Sequence, residues 1–134
     1  MIIGIGSDIC IISRIEKTLE KYGARFENRC FSEIERAKAN RRPLLKAGTY
    51  AKRFAAKEAF SKAIGTGMRQ GVAWRDIEVV NDISGKPSLI LHNAAQECLN
   101  RLIPNNHKAN VLLSMTDDYP YAMAFVIIDA IPIN

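Results

Sequence analysis

The run Phe54-Ala55-Ala56-Lys57-Glu58-Ala59-Phe60-Ser61-Lys62-Ala63 restricts the fold more than any other stretch of this chain. Almost every residue in it is a strong helix former, and Gly65 and Gly67 follow where a helix would stop. At helical spacing Ala56, Ala59, Phe60 and Ala63 share one side, where alanine lets a neighbour pack closely. Glu58, Ser61, Lys62 and Gly65 fall within one arc on the other side. A buried scaffold would therefore present a short strip carrying a carboxylate, a hydroxyl and an ammonium. Near the N-terminus, Gly4 and Gly6 punctuate the apolar run Met1 to Ile5, which marks a strand approached closely by another backbone or a ligand.

The remaining pattern alternates helices and strands without an internal repeat. Ser13 with Glu16 has the form of a capping box and opens a helix towards Tyr22 and Gly23, and Ser32 with Glu35 repeats the signal. Pro43 starts the long central helix. Ile77 to Val80 and Ser88 to Leu91 read as a hairpin around Gly85-Lys86-Pro87, and residues 93–102 form a helix ending before Pro104. Val111 to Met115 and Tyr121 to Ile128 make an antiparallel pair around Asp117-Asp118-Tyr119-Pro120, with Asp117-Asp118 read as a polar turn. The class is α+β, a mainly antiparallel sheet packed against a long central helix. With 134 residues, 48% of them hydrophobic, the chain has enough material for one core, so residues 1–134 are expected to form a single domain.

Apolar stretches such as Ala122 to Ile128 are far too short to span a membrane, and no charged region precedes the apolar N-terminal residues. Cys10, Cys30 and Cys98 are odd in number and have no metal-ligand spacing, and His92 and His107 stand alone. A soluble protein of the reducing cytoplasm is the expectation. The net charge of +5 is uneven: Arg14, Lys17, Lys21, Arg25 and Arg29 recur at helical spacing beside the apolar Ile15, Leu19, Tyr22 and Phe26. If helical phase survives Gly23, they make one basic ridge that would steer an acidic partner, although a solvated face is the ordinary fate of such a run. No aromatic residues are interleaved for base stacking, and no phosphate-binding glycine loop is present.

Asp8 facing Glu58 would supply the two carboxylates with which magnesium is often held, the rest of its shell being water and phosphate oxygens. Lys62, one turn beyond Glu58, would neutralise charge on a phosphate during phosphoryl-type transfer. A Glu and a Lys four residues apart are also an ordinary surface pair, stabilising by about 0.2–0.5 kcal/mol, and an aspartate such as Asp8 often only ends a strand.

Gly6-Ser7-Asp8 and Phe54-Ala-Ala-Lys57-Glu58-Ala-Phe-Ser-Lys62-Ala63 together resemble the two motifs of the holo-acyl-carrier-protein synthases, the bacterial phosphopantetheinyl transferases. The likeness continues in order through Gly65-Thr66-Gly67, Asp76-Ile77-Glu78-Val79, Gly85-Lys86-Pro87 and Ser114-Met115-Thr116, nearly the whole chain. It implies the 4'-phosphopantetheinyl transferase-like fold and magnesium-dependent transfer of 4'-phosphopantetheine from coenzyme A, the co-substrate, to a serine of apo-acyl carrier protein. Asp8 and Glu58 would hold magnesium and Lys62 would stabilise the leaving phosphate. Ser61 and Gly65 would let the cofactor lie close to the helix, and Arg53, Lys86 and Pro87 would contact its nucleotide end. Arg14, Arg25 and Arg29 match positions implicated in docking the acidic carrier protein. Two routes for the serine proton stay open, through Glu58 or through water on the metal. The resemblance also implies fatty acid synthesis as the setting and a homotrimer with active sites between subunits. One departure stands out, since Asp117 occupies a position where many family members have histidine. The rival readings are a small basic nucleic-acid-binding module without enzymatic activity, and a different magnesium-dependent nucleotide enzyme.

Overall fold

Two glycines decide how the first strand meets the central helix. In the structure, a computed structural model describing residues 1–134, a Cβ on Gly4 would lie 2.1 Å from the Ala63 carbonyl oxygen, and one on Gly6 would lie 1.9 Å from that of Ala59. The close approach expected at these glycines is therefore to another backbone, that of the alanine-faced helix, and only a residue without a side chain permits it.

The order of elements is β1 (Ile2–Ile11), α1 (Ile12–Tyr22), α2 (Ala24–Cys30), α3 (Glu33–Asn40), α4 (Lys46–Ala63), β2 (Ile77–Asn81), β3 (Pro87–Leu91), α5 (Asn93–Leu102), β4 (His107–Asp118) and β5 (Tyr121–Pro132). Single 3-10 turns at Pro43–Leu45 and Trp74–Asp76 lead into α4 and β2. Strands β1, β5 and β4 form one antiparallel sheet with β5 in the middle, and β2 and β3 form a second, two-stranded one. Helix α4 crosses the inner face of the larger sheet. Along β5 the alternate residues Ala122, Ala124, Val126 and Ile128 are buried, while Met123 and Phe125 face out. The α+β class with antiparallel strands on a long helix is as expected, although the strands divide between two sheets.

Beneath α4 lies a buried ion pair. Lys57 and Glu35 have no exposed side-chain surface and meet at 2.9 Å. The Lys57 ammonium also donates to the Trp74 carbonyl at 3.1 Å and to that of Ile77. Glu35 accepts from the backbone N–H of Ser32 at 2.9 Å and of Val79 at 3.0 Å. Burial pushes the Lys57 pKa down, and the Glu35 charge opposes that shift. The expected capping box is present, with the Ser32 hydroxyl accepting from the Glu35 N–H at 3.3 Å. The same glutamate thus caps α3 and fixes the rotation of α4 against β2.

Three local expectations need correction. Helix α1 begins at Ile12 with no side-chain cap, because the chain turns straight out of β1 and the Ile12 N–H donates to the Pro120 carbonyl at 2.8 Å; Ser13 and Glu16 make no box. The helical phase breaks at Gly23, whose φ of 52° and ψ of −125° separate α1 from α2, so the basic residues occupy two helices and not one ridge. Asp117 and Asp118 are not turn residues: they pair with Ala122 and Tyr121, which leaves Tyr119-Pro120 alone at the hairpin tip.

Candidate active site

Strand pleating and helical spacing bring Asp8, Glu58 and Lys62 together. Asp8 is on the face of β1 that packs on α4, in line with Gly4 and Gly6. Lys62 reaches across with its ammonium 3.0 Å from Asp8 Oδ1 and 3.0 Å from the Ser7 carbonyl oxygen. Glu58, one turn before Lys62, feels both charges. Burial and the negative charge of Asp8 raise its pKa above the ordinary 4.5, while Lys62 works in the opposite direction. Burial likewise pushes the thiol of Cys10, two residues beyond Asp8, up to about 11, with the charges of Asp8 and Glu58 adding to it. The Cys10 thiol is therefore buried and protonated, with no nucleophilic role.

The donor set suits magnesium. No group of three or more His, Cys, Asp and Glu residues is assembled, but magnesium needs only one or two carboxylates when phosphate and water complete its shell. A cation beside Asp8 and Glu58 would also remove the like-charge repulsion that shows in the raised pKa of Glu58.

Ser61 departs from the expected strip. Its side chain is fully buried and its hydroxyl donates to the Glu58 carbonyl at 2.7 Å, so it faces the core and not a cofactor. Gly65 is open: its φ is +83° and nothing lies within 4 Å of where a Cβ would be.

A second constellation sits on the other side of α4. A pocket of about 1050 Å³ is bounded by the start of α4, the β2–β3 turn and the end of β4. Arg53, Gly85 and Pro87 line it, and Lys86 does not. Lys38, Arg41, Arg42, Lys46 and Lys52 add positive charge, against Glu16 and Asp117. Sequence reasoning missed these cations, although Arg41-Arg42 beside Pro43 is a visible cluster. Asp117 pairs with Lys52 at 3.3 Å and so links α4 to β4.

The chain does not bring its two expected half-sites together. Asp8 lies on β1 and Asp117 on β4, opposite edges of a sheet whose middle strand is β5. Lys62 and Lys52 bind them from positions ten residues apart on α4, a rise of about 15 Å. Asp8, Glu58, Lys62 and Gly65 are not among the residues that line the basic pocket. Arg14, Arg25 and Arg29 are all exposed on α1 and α2.

The chain matches the 4'-phosphopantetheinyl transferase superfamily over residues 4–124. It is 60% identical over 131 residues to the holo-[acyl-carrier-protein] synthase of Sphingopyxis alaskensis, covering 98% of either chain. Among solved structures it superposes on the holo-[acyl-carrier-protein] synthase of Neisseria meningitidis with a TM-score of 0.83 at 36% identity, covering 96% of this chain and 99% of that one. The Bacillus anthracis holo-(acyl-carrier-protein) synthase in complex with CoA (3',5'-ADP) gives a TM-score of 0.77 at 39% identity, with 98% of each chain covered.

Proposed function

The chain belongs to the 4'-phosphopantetheinyl transferase superfamily, and from that premise we propose that it transfers the 4'-phosphopantetheine of coenzyme A to a serine hydroxyl of apo-acyl carrier protein. The products are holo-acyl carrier protein and adenosine 3',5'-bisphosphate. The observation that carries this reading is the meeting of Asp8, Glu58 and Lys62 in a chain similar end to end to holo-acyl-carrier-protein synthases. A nucleic-acid-binding module would leave that carboxylate pair without a purpose.

Asp8 and Glu58 would hold magnesium, which when bound offsets the charge of the pyrophosphate. Lys62 is free to exchange its contact with Asp8 for the phosphate oxygen that accumulates charge as the bond to the nucleotide breaks. The serine proton would pass either directly to Glu58, which lies beside Asp8 and Lys62, or to water on the metal. Positioning supplies most of the remaining rate.

The nucleotide end of coenzyme A fits the basic pocket. Arg53 is buried there and takes part in none of the ion pairs, which supports an anion of the nucleotide end as its counter-ion. Since this pocket and the Asp8 site lie on opposite sides of α4, we assign the working cleft to two copies of the chain, one supplying each half. A homotrimer closed through the outer face of the larger sheet accommodates this. Ile5, Ile9, Leu112, Met123 and Phe125 are exposed on that face and would be covered. Arg14, Arg25 and Arg29 then offer a positive surface for the acidic carrier protein. A cytoplasmic role in fatty acid synthesis follows from this activity, and no helix is long and apolar enough to cross a membrane.

Intact-mass spectrometry of an apo-acyl carrier protein incubated with coenzyme A, with magnesium present or chelated, tests the reading. The expected result is a magnesium-dependent gain of one phosphopantetheine, lost in Glu58→Gln while the fold is kept. No gain with several folded apo carriers would overturn it.

A further inference from the structure

Asn81 ends β2 at the wall of the basic pocket. Its Oδ1 accepts a hydrogen bond from Arg53 Nη2 at 2.9 Å, and its Nδ2 donates to the Gly85 carbonyl at 3.1 Å. The reverse orientation of the amide would set donor against donor and acceptor against acceptor, so the network admits only this one. A single side chain thereby joins a guanidinium to the turn that carries Gly85 and Pro87.

Arg53 is only 3% exposed, yet none of the six ion pairs of the chain includes it. Its other contact is to the Thr49 carbonyl at 3.3 Å, and Nε is left without a partner. Buried charges are ordinarily paired, because removing them from water is costly. Burial pushes this guanidinium's pKa down, and the charge of Glu35 partly restores it. Both of its acceptors are neutral. The charge is thus oriented without being cancelled, on the wall of a pocket large enough for a nucleotide.

We propose that Asn81 is a positioning residue for coenzyme A binding, a neutral acceptor that aims Arg53 and fixes the Gly85–Pro87 turn while leaving the guanidinium to pair with a phosphate of the nucleotide end. This inference rests on the function proposed above. An aspartate of the same shape at position 81 would satisfy Arg53 internally and compete with the ligand. Neutrality at this position is therefore what preserves affinity.

Two variants test it, with adenosine 3',5'-bisphosphate as the probe in titration calorimetry. Asn81→Asp is expected to melt no lower than the unmodified protein, yet to bind the probe about tenfold or more weaker. Its transfer kinetics should show the loss in the KM for coenzyme A and not in that for the carrier protein. Asn81→Leu, which removes the acceptor, should also weaken the probe, but should cost nothing further in an Arg53→Gln background. A merely structural Asn81 would instead lower stability in both variants and shift both substrates' constants together. The inference is overturned if Asn81→Asp binds the probe as tightly as the unmodified protein, if Asn81→Leu costs as much with Arg53→Gln as without it, or if the unmodified protein does not bind the probe. Transfer measured by mass decides the proposed function separately: binding that follows Asn81 and Arg53 without any transfer would sink that function and leave the anion-positioning role standing.

Discussion

Replacing Gly6 with alanine adds one methyl group where the structure has no room for one. The new Cβ would stand 1.9 Å from the Ala59 carbonyl oxygen and 2.9 Å from both the Ala59 carbonyl carbon and the Ala63 nitrogen, all of them backbone atoms. No rotamer can relieve the clash, so α4 must retreat from β1 by more than about 1 Å to reach even a tight contact. Overpacking of a rigid interior costs about 1–3 kcal/mol, and a clash against backbone belongs at the upper end, so about 3 kcal/mol of stability should be lost. The same retreat separates Glu58 and Lys62 from Asp8, and a displacement of about 1 Å at a reacting centre is worth roughly a hundredfold in rate. Gly48 is the internal control, because it lies in the same helix and its added Cβ would meet nothing nearer than Asp117 Oδ2 at 3.6 Å. There alanine should stabilise by about 0.5–1 kcal/mol by removing a helix-interior glycine. Denaturant unfolding of the two variants, with transfer followed by mass, makes the comparison. If Gly6→Ala proved as stable as Gly48→Ala and fully active, the argument from backbone contact would be refuted.

Breaking the buried pair by Glu35→Gln should destabilise by roughly 3–5 kcal/mol, whereas Glu35→Leu combined with Lys57→Met should recover only part of that loss, because the Ser32 and Val79 N–H groups lose their acceptor, as read by denaturant midpoints. At Glu78, burial raises the pKa, but hydrogen bonds from Ser32 and His92 outweigh it and hold the value below the ordinary 4.5. A depressed carboxylate contributes stability that is present above the unfolded value and is lost as pH falls through the folded one. The stability difference between the unmodified protein and Glu78→Gln should therefore shrink as pH falls through 4.5 and below in acid titrations followed by circular dichroism. Phe125→Arg, on the outer face of the larger sheet, should give a sedimentation mass of one chain and abolish transfer without unfolding the protein; an active monomer would contradict the two-copy cleft.

Local signals in the sequence were reliable where the deciding interaction is local. The Ser32–Glu35 box, the stop after Ala63 and the Gly85 turn each depend on residues within a few positions, and all are found as expected. Asp8 and Glu58 were legible because helical spacing sets Glu58 on one polar arc with Lys62 and the family motifs set Asp8 beside it. What was hidden depends on partners distant in the chain. Nothing around Glu35 announces that its carboxylate will neutralise Lys57, 22 residues away. Nothing around Asp117 announces Lys52. Ser61 faces the core because it follows Arg53 and Lys57 at four-residue steps along the buried side of α4, and its hydroxyl is satisfied by the Glu58 carbonyl. The two-sided placement of the half-sites is likewise a property of the sheet order, which no local pattern encodes.

Because α4 carries Lys62 on one flank and Lys52 and Arg53 on the other, each chain in a closed ring would serve two clefts, lending catalytic groups to one and the nucleotide seat to the next. Defects on the two flanks should then complement one another. A chain inactivated at Glu58 keeps an intact Arg53 flank, and a chain damaged at Arg53 keeps an intact Glu58 flank. Mixing two dead variants in one ring would assemble some clefts from sound halves alone, so activity would be inherited by the interface and not by the polypeptide.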